Sequence, residues 1–232
     1  MNTVPDMTVA TRKEGAEDII MMRLPADRFR NCIPSHYDPP VDNKSRYQVA
    51  LLAQSCERNS FDKNETGRTD ELHFWLRVAS SNPGPHVKGA DIMLPSMHWF
   101  ALASATSNAD AGNYLESFGF SPLNLEKIDL RAHGGSLAFP GGSRIEWTIA
   151  GPGKGLPRVG VRHVIFVAAD GPDAAGHRVT ALVSDTVMEQ LGKVHIQTAA
   201  LEPFLFEGER FPAAVHRMSR LEADVVWRRH PK

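Results

Sequence analysis

Short apolar segments recur along most of this chain, separated by turns that are rich in glycine and proline. The segments at residues 46–55 (RYQVALLAQS) and 71–79 (ELHFWLRVA) combine β-branched and aromatic residues, as strands do. Residues 97–106 are apolar almost throughout, which is typical of a strand buried on both faces or of a barrel strand. Many short strands joined by such turns favour a barrel or a sandwich. Further strands are predicted at residues 18–23, 127–132, 136–139, 144–150, 161–168, 177–184 and 221–227.

The same pattern predicts few helices. Pro25 can open a helix and Pro34 can close one, so one short helix is expected between them, and a second is expected at residues 109–118. We therefore expect one domain over residues 18–232. The remaining assignments are a flexible polar arm at residues 1–17, a mobile loop at residues 57–70, and either a short helix or a strand at residues 186–192 and 199–206.

Composition narrows the class of protein. The chain has 232 residues, of which 42% are hydrophobic, so it can bury a sizeable core without disulfides or a structural metal. Its 26 basic and 27 acidic residues leave a formal net charge of -1, and nothing indicates nucleic acid or a charged membrane surface as a partner. The two cysteines, Cys32 and Cys56, do not make a disulfide framework. No apolar run approaches the ~18 residues that span a bilayer, and the start of the chain is polar, so we expect a cytoplasmic protein.

Three segments, taken in order, resemble a known family. Residues 23–34 match a strand, an acidic residue, a short helix and a hydrophobic-proline ending. Residues 97–122 match a hydrophobic strand, a small loop and the first half of a Glu-x-x-Gly-aromatic-Pro-Lys signature, which begins here at Glu116. Residues 211–226 match a closing hydrophobic-Pro, serine, Ala-Asp and strand segment. With this order and spacing, the chain resembles the acetoacetate decarboxylase family from about residue 19 to 227.

The resemblance implies an α+β fold of mostly antiparallel strands, with a barrel that encloses a cavity. It also implies a homo-oligomer and a small-molecule substrate. The lysine pair of that family, which supplies the Schiff base with a β-keto acid, is not matched, because those two positions fall on Pro122 and Leu123, and Leu115 replaces an arginine. Neither Pro122 nor Leu123 has a side-chain amine that could form a Schiff base. Lys88 is the best substitute, and most other lysines, including Lys13 in the polar arm, are expected to be solvated.

Glu116 is the candidate that lies closest to the matched signature. Its neighbours Tyr114, Leu115, Phe118 and Phe120 are apolar or aromatic, so we expect it to be partly buried. Burial would raise the pKa of its carboxyl group and suit it to general acid–base catalysis near neutrality. Phe118 and Phe120 would then contact the substrate. The alternative is a glutamate that caps or pairs at the end of a short helix.

A second candidate surface lies on the strand at residues 71–79. Glu71, His73 and Trp75 are spaced by two residues and therefore share one strand face. Such a face can form a pocket wall with acid–base capacity, although a half-exposed strand can carry the same residues.

Two further pairs are weaker candidates. His98 and Trp99 are consecutive, so they face opposite sides of their strand. If Trp99 lines the cavity as a flat apolar wall for substrate, His98 points outward; the alternative is one core residue and one surface residue. His195 and Gln197 also share a face.

The spacing of potential ligands indicates neither a metal nor a cofactor. No His-x-His, His-Glu-x-x-His or Cys-x-x-Cys pattern occurs, and no glycine-rich segment has a strand before it and a Lys-Ser/Thr pair after it, as a phosphate loop does. By resemblance, we expect an enzyme of secondary metabolism, of the lyase, cyclase or dehydratase type, that acts on a β-keto or polyketide-like metabolite without a Schiff base. The alternatives are a non-catalytic binding protein for an apolar metabolite, or a scaffold whose cavity has collapsed.

Overall fold

The computed structural model describes residues 7–33, 37–79, 96–156, 161–167, 174–180 and 187–229. Most of these residues are in strands. The strands are β1 (Met7–Pro25), β2 (Arg46–Phe61), β3 (Asn64–Glu65), β4 (Thr69–Arg77), β5 (Ser96–Thr106), β6 (Leu123–Asn124), β7 (Lys127–Arg131), β8 (Gly134–Ala138), β9 (Arg144–Leu156), β10 (Val161–Val167), β11 (Ala174–Thr180), β12 (Val187–Gln197) and β13 (Arg210–Arg229). The helices are α1 (Ala109–Ser117) and two short 3₁₀ turns, Ala26–Phe29 and Pro140–Gly142.

The strands belong to one sheet that closes on itself. The order β1-β2-β4-β5-β10-β11-β13 returns to its start because β1 also pairs with β13. That antiparallel pairing runs from Met7↔Arg229 to Met21↔Ala214. The pairs β5–β10 and β5–β6 are parallel, and the others are antiparallel. The mostly antiparallel barrel expected from the sequence is therefore confirmed.

A second layer extends from the long last strand. The N-terminal part of β13 pairs with β12, and β9, β8 and β7 follow in order. Alternate residues of β2 separate two cores: Leu51 packs toward this layer, and Leu52 packs on the barrel side. On β4, Phe74 and Trp75 divide in the same way. The barrel wall is therefore buried on both faces, which explains the unbroken apolar runs in these strands.

Helix α1 packs against the barrel-side core. Asn108 caps its N-terminus, where its side-chain oxygen accepts hydrogen bonds from the backbone N–H groups of Asp110 and Ala111 at 2.9 and 3.1 Å. The buried face carries Ala111 and Leu115. Gly119 follows the helix with φ +87°, a conformation that favours glycine, and this turns the chain toward β6.

Two expectations about polar segments are wrong. Strand β1 begins at Met7, so residues 7–17 are not a flexible arm. Strand β2 continues to Phe61 and β4 begins at Thr69, so most of the predicted loop at residues 57–70 is a hairpin. In both segments polar side chains point into the barrel interior. The strands therefore lack the apolar pattern by which a strand is predicted. Lys88, the substitute lysine named above, lies outside the described residues.

Other boundaries differ less. The helix expected between Pro25 and Pro34 is a single 3₁₀ turn, and residues 199–206 form turns. Within the described ranges, no helix has the length and apolar character needed to cross a membrane.

The junction between the barrel and the second layer depends on a buried charge. Asp18 of β1 is fully buried; it accepts hydrogen bonds from Trp147 Nε1 at 2.7 Å and from two guanidinium nitrogens of Arg217 at 2.6 and 2.8 Å. Trp147 lies on β9 and Arg217 on β13, so this one carboxylate joins three strands.

We predict that Asp18→Ala lowers the free energy of unfolding by roughly 3–5 kcal/mol. The variant removes the counter-charge of Arg217, whose remaining acceptors are backbone carbonyl oxygens, and leaves the Trp147 N–H without its acceptor. The matched control is Asp129→Ala, which removes an exposed partner of Arg131 and should cost less than about 1 kcal/mol. Urea denaturation of both variants measures the difference. Equal losses would contradict this role of Asp18.

Candidate functional site

A group of polar side chains lies inside the barrel, and Glu71 is at its centre. The Glu71 carboxylate is fully buried; it accepts hydrogen bonds from Asn59 Nδ2 at 2.8 Å and from His73 Nε2 at 3.0 Å, and it forms an ion pair with Lys13. Lys13 Nζ also donates to Gln54 Oε1 at 3.3 Å. We call these five residues the interior cluster.

Strand register brings these residues together. Lys13 of β1 is opposite Asn59 of β2, and Gln54 of β2 is opposite Glu71 of β4. Directly opposite residues point to the same face of a sheet, so three strands direct polar side chains to one place. The Gln54 amide also donates to Glu17 of β1, which is fully buried.

The charge state of Glu71 follows from its neighbours. Burial raises the pKa of the carboxyl group, but the charge of Lys13 and the hydrogen bond and charge of His73 outweigh burial, and the net effect is a pKa well below the usual range. Glu71 is therefore ionised near neutral pH. An ionised carboxylate only accepts hydrogen bonds, so His73 Nε2 must carry the hydrogen it shares with Glu71. The other ring nitrogen, Nδ1, is then the one that can accept a further proton.

Aromatic residues continue the same barrel face. Trp75 is next to His73, with ring centroids 5.7 Å apart, and Trp99 of β5 is 6.1 Å from Trp75. Phe118 and Phe120 are buried in the same core cluster as the two tryptophans. Trp99 is thus buried and its neighbour His98 is partly exposed, in line with their opposite orientations.

The expected burial of Glu116 is wrong. It is exposed on α1, because the buried face of that helix runs through Ala111 and Leu115, and the next residue is turned about 100° away. His195 and Gln197 share a face of β12 and are in contact, with 2.8 Å between Nδ1 and Nε2. Neither of them is part of the interior cluster.

Lys13 is the member of the cluster that the sequence does not reveal. It was expected to be solvated, yet its side chain is buried. Its neighbours Arg12 and Glu14 are exposed or partly exposed and form an ion pair with each other. In a run of charged residues, the sequence does not show which of them points into the barrel. The inward orientation of Lys13 follows from its pairing with the buried Asn59 on β2.

The described residues also form two grooves. One of about 730 Å³ is lined by Glu14, Arg58, Arg220 and Glu222 among others, and several of these charges pair with one another. The other, of about 420 Å³, adjoins β5 and is lined in part by residues 119–121 and Leu123, next to the positions where the family resemblance places its lysines. Among the described residues, no three His, Cys, Asp or Glu side chains are grouped as metal ligands.

Comparisons with solved structures identify the fold. Acetoacetate decarboxylase from Legionella pneumophila has a TM-score of 0.57 and 15% identity, over 100% of this chain and 89% of that one. The enduracididine biosynthesis enzyme MppR, complexed with the condensation product of pyruvate and imidazole 4-carboxaldehyde, has a TM-score of 0.54 and 10% identity, over 99% and 90%. An acetoacetate decarboxylase-like enzyme from Sphingomonas wittichii has a TM-score of 0.51 and 10% identity, over 99% and 93%. No family model and no curated protein matches the chain.

These similarities extend over nearly the whole chain. The acetoacetate decarboxylase-like fold that the three sequence segments indicate is therefore confirmed. At 10–15% identity the likeness is one of fold, and the reaction has to be argued from the residues of this chain.

We predict that the free energy of unfolding falls less on acidification in Glu71→Gln than in the wild type. Because the folded-state pKa of Glu71 is lowered, its carboxylate contributes stability above the unfolded pKa of about 4.3, and this contribution is lost as the pH falls below that value. Urea denaturation between about pH 7 and pH 3 should therefore show a shallower decline in the variant than in the wild type.

The matched control is Glu116→Gln on the exposed face of α1, which should follow the wild-type curve. At neutral pH, Glu71→Gln should also cost roughly 3–5 kcal/mol, because Lys13 loses its buried counter-charge. Parallel pH curves for Glu71→Gln and the wild type would contradict the charge state assigned to Glu71.

Proposed function

We propose that this chain is a small-molecule enzyme that acts on a β-keto or polyketide-like compound by proton transfer inside the barrel, as a lyase, cyclase or dehydratase. The observation that carries the proposal is the buried pair of Glu71 and His73, with Nε2 and Oε2 3.0 Å apart, beside the ring of Trp75. A histidine oriented by a carboxylate is a common proton-transfer group, because its second nitrogen titrates near neutral pH.

Each residue has a distinct role in this proposal. His73 Nδ1 removes a proton from the carbon next to a carbonyl group and returns one later. Glu71 holds the ring and its Nε2–H, and Lys13 balances the charge of Glu71. The low pKa of Glu71 makes it a weak base, so it acts as a positioning residue rather than as the proton acceptor. Trp75 and Trp99 provide flat apolar walls that hold the reactive conformer.

The class of substrate rests on the fold and on one comparison. MppR has this fold and is described in complex with a condensation product of pyruvate, a keto acid. A carbonyl compound with an acidic neighbouring carbon is the kind of molecule that a single base can activate.

The proposal excludes an amine mechanism. A lysine attacks a carbonyl only as the neutral amine. Lys13 is inside the barrel, but its Nζ is engaged by the Glu71 carboxylate and by Gln54 Oε1. Pro122 and Leu123 occupy the positions of the family lysines and have no amine.

We predict that the protein catalyses exchange of the α-protons of β-keto esters with D₂O, and that His73→Gln lowers the rate roughly 10²–10⁴-fold, the usual size of a general acid–base contribution. Proton NMR of a panel that begins with ethyl acetoacetate measures the exchange. The matched control is His195→Gln, which changes a histidine outside the cluster and should leave the rate unaltered. Exchange that survives in His73→Gln would contradict the proposal.

Borohydride trapping tests the mechanism separately. Treatment with acetoacetate and borohydride should leave the protein mass unchanged, because Lys13 Nζ is engaged by the Glu71 carboxylate and Pro122 and Leu123 have no amine. A stable adduct that maps to a lysine, Lys13 or Lys88 above all, would show that an amine does the chemistry.

The alternative is a non-catalytic protein that binds an apolar metabolite. The observation in its favour is that Glu71 accepts hydrogen bonds from three donors, as in a purely structural ion pair. An uncharged apolar ligand that binds equally to the wild type and His73→Gln, with no proton exchange in either, would favour this alternative.

A further inference from the structure

One edge of β5 pairs with two different strands of the described structure. That edge pairs with β10 up to Ala101, opposite Val167, and with β6 from Ala105, opposite Leu123. No strand in the described ranges pairs with residues 102–104 along this edge. On the opposite edge the register with β4 shifts between Phe74 and Trp75, which is a bulge at Leu102.

The groove of about 420 Å³ lies beside residues 101–104 of β5. Its walls are residues 101–104 of β5, residues 119–121 after α1, and the turn after β12 that includes Ala200 and Phe204. Its volume falls within the range of small-molecule sites, about 300–1,000 Å³.

Ser104 connects this groove to the interior cluster. It lines the groove, and on the sheet it lies directly opposite His73. Directly opposite residues have side chains on the same face, with Cβ atoms about 4.5–5.5 Å apart. Ser104 is 2% exposed, and its hydroxyl oxygen has no hydrogen-bond partner among the described residues. A buried hydroxyl with unused capacity is costly unless a ligand or water satisfies it.

The lining indicates the chemistry of the ligand. Glu202 is its one ionisable residue, so no cation is present to recognise a carboxylate or phosphate group. Leu102, Phe120, Leu201 and Phe204 provide apolar surface. A molecule with an uncharged apolar body and one carbonyl group fits this combination.

We propose that this groove is the entrance by which such an uncharged carbonyl compound reaches His73, and that the Ser104 hydroxyl donates a hydrogen bond to its carbonyl oxygen. The role of His73 rests on the proposed function, whereas the groove and its ligand class do not. The carbonyl carbon would then lie beside the imidazole ring, and β-keto acids that carry a free carboxylate would be poorer ligands than their esters.

Chemical modification tests the route. Diethyl pyrocarbonate acylates accessible imidazoles, and peptide mass spectrometry gives the rate at each histidine. His73 should be modified slowly in the wild type and several-fold more slowly in Ala200→Trp, where the larger side chain fills the groove. His216, which lies on β13 away from the groove, is the internal reference and should keep its rate.

The matched control variant is Ala132→Trp, which places the same side chain in an exposed turn and should leave the His73 rate unchanged. An unmodified His73 in the wild type, or equal rates in the two tryptophan variants, would overturn the entrance.

A fluorescent ketone tests the ligand class. Prodan is an uncharged naphthalene with one ketone, and its emission shifts when that ketone accepts a hydrogen bond. Binding should be lost in Ala200→Trp and weakened roughly two- to tenfold in Ser104→Ala, the size of one neutral hydrogen bond. Emission of the bound dye should shift to shorter wavelength in Ser104→Ala. Unchanged affinity and emission in both variants would contradict the site.

His73→Gln separates the two proposals, because it should abolish proton exchange and leave Prodan binding intact. If proton exchange depends on His73 but Ala200→Trp leaves the Prodan affinity unchanged, the entrance alone is refuted. Prodan binding that depends on Ala200 and Ser104 without any exchange would refute the proposed function alone.

Discussion

A carboxylate buried inside a closed barrel requires a cation and hydrogen-bond donors around it, and Glu71 imposes that requirement on this fold. An uncompensated charge in such a place would cost several kcal/mol, a large part of the net stability of a domain. Lys13, Asn59 and His73 meet the requirement from three positions on three strands. The requirement therefore fixes the register of β1, β2 and β4 relative to one another, and with it the path of the N-terminal strand.

The same requirement explains which parts of the fold can be read from the sequence. Strands β4 and β5 face a core on both sides, so their apolar runs are visible, and β5 lies in the second segment of the resemblance. Strand β1 has polar residues on the barrel face near Lys13 and exposed polar residues on the other, so its first half has the composition of a loop. The pairing of β1 with β13 supplies its structure, and that pairing is not local in sequence.

The candidate site shows a similar division. The common face of Glu71, His73 and Trp75 follows from the two-residue period of a strand and can be predicted. The orientation of Glu116 depends on which side of a two-turn helix packs against the barrel. Its aromatic neighbours in sequence suggest burial, but Glu116 lies on the exposed side. Lys13 becomes a member of the cluster through a residue that is 58 positions away, for which a single sequence contains no signal.

No lysine is present at the two positions where the resemblance places a lysine pair, and a buried lysine, Lys13, lies elsewhere. The arrangement of charges around Lys13 and Glu71 is therefore the central question. The account holds that Glu71 stays ionised, that its charge fixes the hydrogen on His73 Nε2, and that Nδ1 exchanges the proton. Nitrogen NMR of the protein labelled with ¹⁵N-histidine, recorded over a pH titration, observes both ring nitrogens of His73 directly. The account predicts that Nε2 remains protonated throughout while Nδ1 titrates. Titration at Nε2 with a permanently protonated Nδ1 would contradict it.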